Sequence, residues 1–192
     1  KILQEGNQRF AAGLMENPRQ DSERRILTSQ KGQHPIAAVL SCSDSRVPVE
    51  TIFDQGIGDI FVIRVAGNVA GASEIGSIEY AVEHLNVGLL VVLGHSKCGA
   101  VTAAVKDEPV HGCITQIKEK IMPAVKKAGE TQHQTLEELI ETAARENVWR
   151  SIEDILNNSS GIKTAVESGN LAIAGAYYDI RSGIVEWMES RA

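Results

Sequence analysis

Leu89-Leu90-Val91-Val92-Leu93-Gly94-His95-Ser96-Lys97-Cys98 begins as an unbroken apolar run and ends in two soft metal ligands. A continuous run of branched aliphatic residues, with no polar alternation, is the pattern of a strand buried on both faces, as in a parallel sheet covered by helices. Gly99 to Lys106 then reads as a helix, so Cys98 falls at a helix N-terminus, where the dipole favours a thiolate. Strand, turn and helix follow one another within eighteen residues, about the economy expected of an α/β unit.

The flanking sequence repeats that unit. Ile36 to Leu40 and Ile60 to Val65 are similarly apolar, and Ala72 to Leu85 places Ile75, Ile78, Val82 and Leu85 on one helical stripe, which predicts a right-handed strand-helix-strand crossover into Leu89. Helices are expected over Ile114 to Ala128, Thr135 to Leu156 and Gly161 to Glu167. Asn170 to Tyr178 reads as a late strand, Asp179 to Gly183 as a turn, and Ile184 to Met188 as a short edge strand. The expected fold class is α/β, a mostly parallel β-sheet of about four parallel strands plus a short edge strand, flanked by helices. Gln4 to Ala12 and Asp21 to Gln30 read as two N-terminal helices, separated by Asn17-Pro18. Neither has a wide apolar face, and packing on a partner subunit is the expectation for both. Residues 1-192 are read as a single domain, with 1-32 as a helical arm and 33-192 as the α/β core.

Composition narrows the function. The chain has 192 residues, 43% hydrophobic and 23% charged, which suits a globular protein with a sizeable core. A net charge of −6 argues against a phosphate-backbone partner, so no nucleic acid is expected, and with no run of membrane-spanning length no membrane either. Three cysteines, Cys42, Cys98 and Cys113, make no disulfide framework, and Cys113 is expected to be a packing residue. The chain starts at Lys1 without Met; cytoplasmic and, if a leader precedes that point, periplasmic locations both stay open.

Cys42-Ser43-Asp44-Ser45-Arg46 follows the Ile36 to Leu40 run as His95 and Cys98 follow theirs. Ligands gather at the carboxyl edge of strands in open α/β sheets, so the two segments can meet if their strands are neighbours. Two thiolates and one imidazole suit zinc, and three protein ligands leave one tetrahedral position for a reactive water. Asp44 and Arg46, one residue apart, are placed to pair, which would keep Asp44 ionised and able only to accept hydrogen bonds. Tyr80 and His84 share a helix face and are candidates for a proton relay. His34, His111 and His133 have no comparable context.

Cys42 to Val47 (Cys-Ser-Asp-Ser-Arg-Val), Arg64 to Asn68 (Arg-Val-Ala-Gly-Asn), Gly76 to Val82 (Gly-Ser-Ile-Glu-Tyr-Ala-Val) and Gly94 to Val101 (Gly-His-Ser-Lys-Cys-Gly-Ala-Val) resemble the β-class carbonic anhydrases. The resemblance implies a Zn2+ enzyme, one ion per chain, that interconverts carbon dioxide and bicarbonate, with Cys42, His95 and Cys98 as ligands. It implies that Asp44 orients zinc-bound hydroxide while Arg46 holds the carboxylate off the metal, Asp44 joining the metal only in a closed, inactive form. Regulated members carry Trp three residues before the first Cys, where this chain has Val39, although Arg64 and Tyr178 match the other positions of that bicarbonate site. An open form near neutral pH without that site is therefore expected. Gln33, Phe61 and Tyr80 match substrate-pocket positions, Gly99 after Cys98 at a helix start is placed to offer its backbone N–H to bicarbonate, and subunits of the family lend pocket residues to one another, which implies a homodimer or a higher even oligomer.

Two rivals stand beside this reading. Hydrolysis of carbonyl sulfide or carbon disulfide would use the same zinc site on a linear substrate of similar shape. A non-catalytic zinc module or a thiol redox protein is the more distant alternative, though the Cys-x-x-Cys of many redox proteins is absent.

Overall fold

Five strands form the sheet in the computed structural model, which describes residues 1–130 and 135–189: β1 (Ala37–Cys42), β2 (Ile60–Val65), β3 (Leu89–His95), β4 (Ala172–Tyr178) and β5 (Val185–Trp187). Their order is β2-β1-β3-β4-β5, parallel throughout except for the antiparallel β5. Both faces are covered. Ala38, Leu40, Leu90 and Val92 pack beneath the helices α4 (Ala72–Glu83), α7 (Leu136–Asn158) and α8 (Ser160–Glu167). The alternate residues Ala37, Val39, Val91 and Leu93 meet Val47, Phe53 and the short helix α3 (Val49–Ile52) on the other face. Burial on both sides is why these strands are continuously apolar.

The remaining helices are α1 (Ile2–Ala12), α2 (Ser22–Lys31), α5 (Gly99–Val105) and α6 (Ile114–Ala128). α1 docks one face on its own chain. Leu3 is buried, Gly6 lets the Phe53 carbonyl come against the helix backbone, and Asn7 Nδ2 donates to the carbonyls of Ile52 at 3.2 Å and Gly183 at 2.8 Å. Asn7 Oδ1 accepts from the Val185 N–H at 2.8 Å, tying the helix to β5. Leu3 and Phe10 pack into the core on either side of Asn7, so the apolar part of this face is only two residues, too few for hydrophobic periodicity to reveal. α2 has no buried residue; Arg24 holds it to the Ile57 carbonyl at 2.7 Å and to Asp59 at 3.1 Å, and Ile26 and Leu27 stay exposed. Cys113 also departs from expectation: it is exposed, at the start of α6, rather than packed. Among the described residues no helix is long and apolar enough to cross a membrane.

Candidate metal centre

Chain direction across the sheet decides where a site can form. β1 connects to β2 on one side, whereas β3 lies on its other side, so the crossover direction switches between β1 and β3 and a crevice opens at their carboxyl ends. Ser41 is opposite Leu93, so Cys42 and the Gly94-His95 pair leave the sheet side by side. The adjacency that a shared site requires is therefore met. Cys98 joins them as the N-cap of α5.

The sulfurs of Cys42 and Cys98 and a ring nitrogen of His95 all lie within 4.8 Å of one another. The two sulfurs are 4.0 Å apart, and all three residues are buried, His95 completely. His95 Nδ1 meets the Ser96 carbonyl at 2.9 Å; a carbonyl only accepts, so the proton sits on Nδ1 and Nε2 carries the lone pair. That Nε2 is buried with no hydrogen-bond partner. A buried unpaired acceptor is costly, and here it faces two soft sulfurs, the donor set that zinc takes. The residues fit a zinc ion with an open fourth position.

Electrostatics around the sulfurs are asymmetric. The Cys42 thiol is held down because Cys98 donates to it, against the opposing effect of burial, with the backbone N–H groups of Asp44 and Gly67 adding to the lowering. The Gly67 N–H lies 3.2 Å from the Cys42 sulfur. Cys98 is pushed up, since it keeps the shared proton and is buried, against the opposing N–H groups of Val101 and Ala100 at the head of α5. The two thiols are therefore inequivalent, Cys42 the more acidic of the pair. Both would be thiolates when holding a divalent cation.

Asp44 stands beside this cluster without joining it. Arg46 grips both of its oxygens, Nε to Oδ1 at 2.9 Å and Nη2 to Oδ2 at 2.7 Å, and the Arg46 backbone N–H adds a third bond to Oδ1 at 3.0 Å. The guanidinium holds the Asp44 carboxyl well below the usual carboxylate range, so it is an acceptor only. Arg46 is itself anchored on the Lys97 carbonyl at 3.2 Å, one residue before Cys98. Arg64 braces the loop from beneath, donating to the carbonyls of Cys42 at 3.1 Å and Asp44 at 2.6 Å.

Other residues singled out from the sequence fall into two places. Gly99 opens α5 next to Cys98. Gln33 lies before β1, and Phe61 is opposite Ala38, four residues back from Cys42 and so roughly 13 Å down the strand. Phe61 packs against Tyr80 at 6.0 Å between ring centres, and Tyr80 stacks on His84 at 5.2 Å. Tyr80 is 47% exposed and belongs to a surface, not to the core. These residues do not meet the metal cluster of their own chain. Val39 is fully buried, Tyr178 packs against Phe10, and His34 and His111 are exposed; His133 lies outside the described residues. Gly67, the Lys97 carbonyl and the bracing contacts of Arg64 were not foreseen, because backbone atoms leave no signature in side-chain pattern.

Comparison with known proteins gives a consistent answer. The family described as carbonic anhydrase matches residues 37–185. Carbonic anhydrase 2 of Mycobacterium tuberculosis is 40% identical over 187 residues, covering 95% of this chain and 88% of that protein. Among solved structures, one of two tetrameric β-carbonic anhydrases from Sordaria macrospora aligns with a TM-score of 0.78 at 27% identity, covering 88% of each chain. The β-carbonic anhydrase CafA of Aspergillus fumigatus aligns with a TM-score of 0.77 at 30% identity, covering 95% of this chain and 87% of that one.

Proposed function

The chain belongs to the β-class carbonic anhydrases, and on that premise we propose that it catalyses the reversible hydration of carbon dioxide to bicarbonate and a proton, with one zinc ion held by Cys42, His95 and Cys98. The observation that carries this reading is the buried, unpartnered Nε2 of His95 converging with two sulfurs. Bound zinc would supply the Lewis acidity that makes water nucleophilic near neutral pH.

The protein's part is orientation. Asp44 is ionised and can only accept, so it takes the hydrogen bond of the attacking O–H and turns a lone pair towards the substrate carbon. Arg46 keeps the carboxylate away from the sulfurs, and Lys97 and Arg64 keep the loop in register. Gly99 offers a backbone N–H of the first helical turn to a substrate oxygen.

Gln33 before β1, Phe61 near the start of β2 and Tyr80 on α4 against Phe61 lie away from this cluster, and they are assigned to the pocket of a second copy, which makes the working unit a homo-oligomer. His84, stacked on Tyr80, would pass the proton to buffer from that position. Stopped-flow hydration of carbon dioxide by zinc-loaded protein tests the reading, with sulfide release from carbonyl sulfide and carbon disulfide measured on the same sample. Hydration lost in Cys98→Ser supports it; sulfide release without hydration overturns it.

A further inference from the structure

Residues 107–159 carry no distinctive motif, yet α7 buries three polar side chains, Asn147, Ser151 and Asp154. Asp154 is paired with Arg150 and Lys120, whereas Asn147 is fully buried and Ser151 nearly so, four residues apart on a face that also carries Ala143, Ala144, Val148, Ile152 and Ile155. An amide in such a place is costly unless it is bonded. Asn147 Nδ2 donates to the Gly67 carbonyl at 2.7 Å, and Ser151 Oγ donates to the Asn68 carbonyl at 2.9 Å.

The turn they hold, Ala66–Asn68, is the one whose Gly67 N–H points at the Cys42 sulfur. Gly67 and Asn68 both sit in the left-handed region, at φ +73° and +43°. A side chain at Gly67 would put its Cβ 2.8 Å from Ile121 Cδ1 and 3.2 Å from Ala100 Cβ, so space as well as the positive φ favours glycine there. Successive peptide groups are thus pinned: 66–67 by sulfur, 67–68 by Asn147, 68–69 by Ser151. Glycine leaves the backbone free to rotate between the first two. With the turn held by β2 at Val65 on one side and by Asn147 at the Gly67 carbonyl on the other, the directions open to the Gly67 N–H are narrowed.

We propose that Asn147 is a positioning residue for the metal-ligating sulfur of Cys42, acting through the backbone of Gly67, with Ser151 as a weaker second hold. The proposal rests on the reading of Cys42 as a zinc ligand. An N–H aimed at a ligating sulfur withdraws charge from it and fixes its direction, as outer contacts of metal ligands generally do. Released from Asn147, the turn relaxes and the sulfur becomes both more electron-rich and less well placed.

The test compares wild type, Asn147→Leu and Ser151→Ala, loaded with zinc for chelator competition and with cadmium-113 for NMR. Asn147→Leu is expected to bind zinc about 10- to 100-fold more weakly and to move the cadmium resonance, with Ser151→Ala shifting both in the same direction by less. A folded Asn147→Leu protein with wild-type zinc affinity and an unmoved cadmium resonance would overturn the proposal. If that variant does not fold, wild type decides: a through-bond coupling between cadmium and the Gly67 amide proton is expected, and its absence counts against the Gly67 contact. Wild type that takes up neither metal would instead defeat the zinc-site reading itself.

Discussion

Asp44 and Arg46 form a two-pronged ion pair, with both carboxylate oxygens taken by Nε and Nη2 of one guanidinium at 2.9 and 2.7 Å. Lysine cannot reproduce that fork, so Arg46→Lys is not a conservative change here. Asp44→Asn keeps the shape but presents an N–H where an acceptor is needed. Each variant is expected to lower the hydration rate about 10- to 100-fold while zinc content stays at the wild-type level. Zinc analysis alongside stopped-flow rates checks this, and an unchanged rate in Asp44→Asn would remove Asp44 from its orienting role.

The depressed pKa of Asp44 has a definite sign. Its folded value lies below the ordinary carboxylate value of about 4, so the pair is fully formed above that pH and is lost only as pH falls through the lowered value. Asp44 therefore stays ionised throughout neutral and mildly acidic buffers. Carbon-13 NMR of its carboxyl group is expected to show no titration above about pH 5. A midpoint near neutrality would mean that the Arg46 pair opens in the working range.

His84 stacks on an exposed Tyr80 and has a ring within reach of solvent. His84→Ala is expected to slow turnover at low buffer concentration, with added imidazole restoring it, because a diffusible base replaces a fixed one. Slowing without rescue would exclude a relay.

Gln33 lies beyond the amino end of β1 and Asp44 beyond its carboxyl end, so one chain cannot bring both to one pocket. Hybrids of Gln33→Ala and Asp44→Asn subunits then contain one pocket with both residues intact. Refolded mixtures should hydrate carbon dioxide faster than the mean of the two parents. A rate equal to that mean would place both residues in pockets of the same chain.

Gly94 precedes His95 on β3, and a Cβ there would lie 2.6 Å from Val148 Cγ2 on α7. Gly94→Ala is expected to destabilise the fold by about 1–3 kcal/mol through overpacking. Denaturant unfolding measures this, and wild-type stability would show that α7 yields without cost.

Much of this was legible beforehand because a parallel strand buried on two faces has to be apolar throughout, as Leu89 to Leu93 is. The strands outrun their apolar stretches, β1 continuing past Leu40 to Cys42 and β3 past Leu93 to His95, since ligand residues look like loop while the site buries them. The helix Val49–Ile52 escaped notice because four residues carry no periodicity. That β1 and β3 are neighbours is a property of chain crossover, which residue pattern does not encode. Asn147 and Ser151 did leave a trace, two polar residues four apart on an apolar helix face, but their partners are carbonyls some eighty positions away.

Zinc content and carbon dioxide hydration rate, measured on one preparation across a pH series, test the central claim most directly. One zinc per chain, with hydration that rises as pH increases through neutrality, is the predicted result. Fully zinc-loaded protein that leaves carbon dioxide untouched in neutral and alkaline buffers would contradict it.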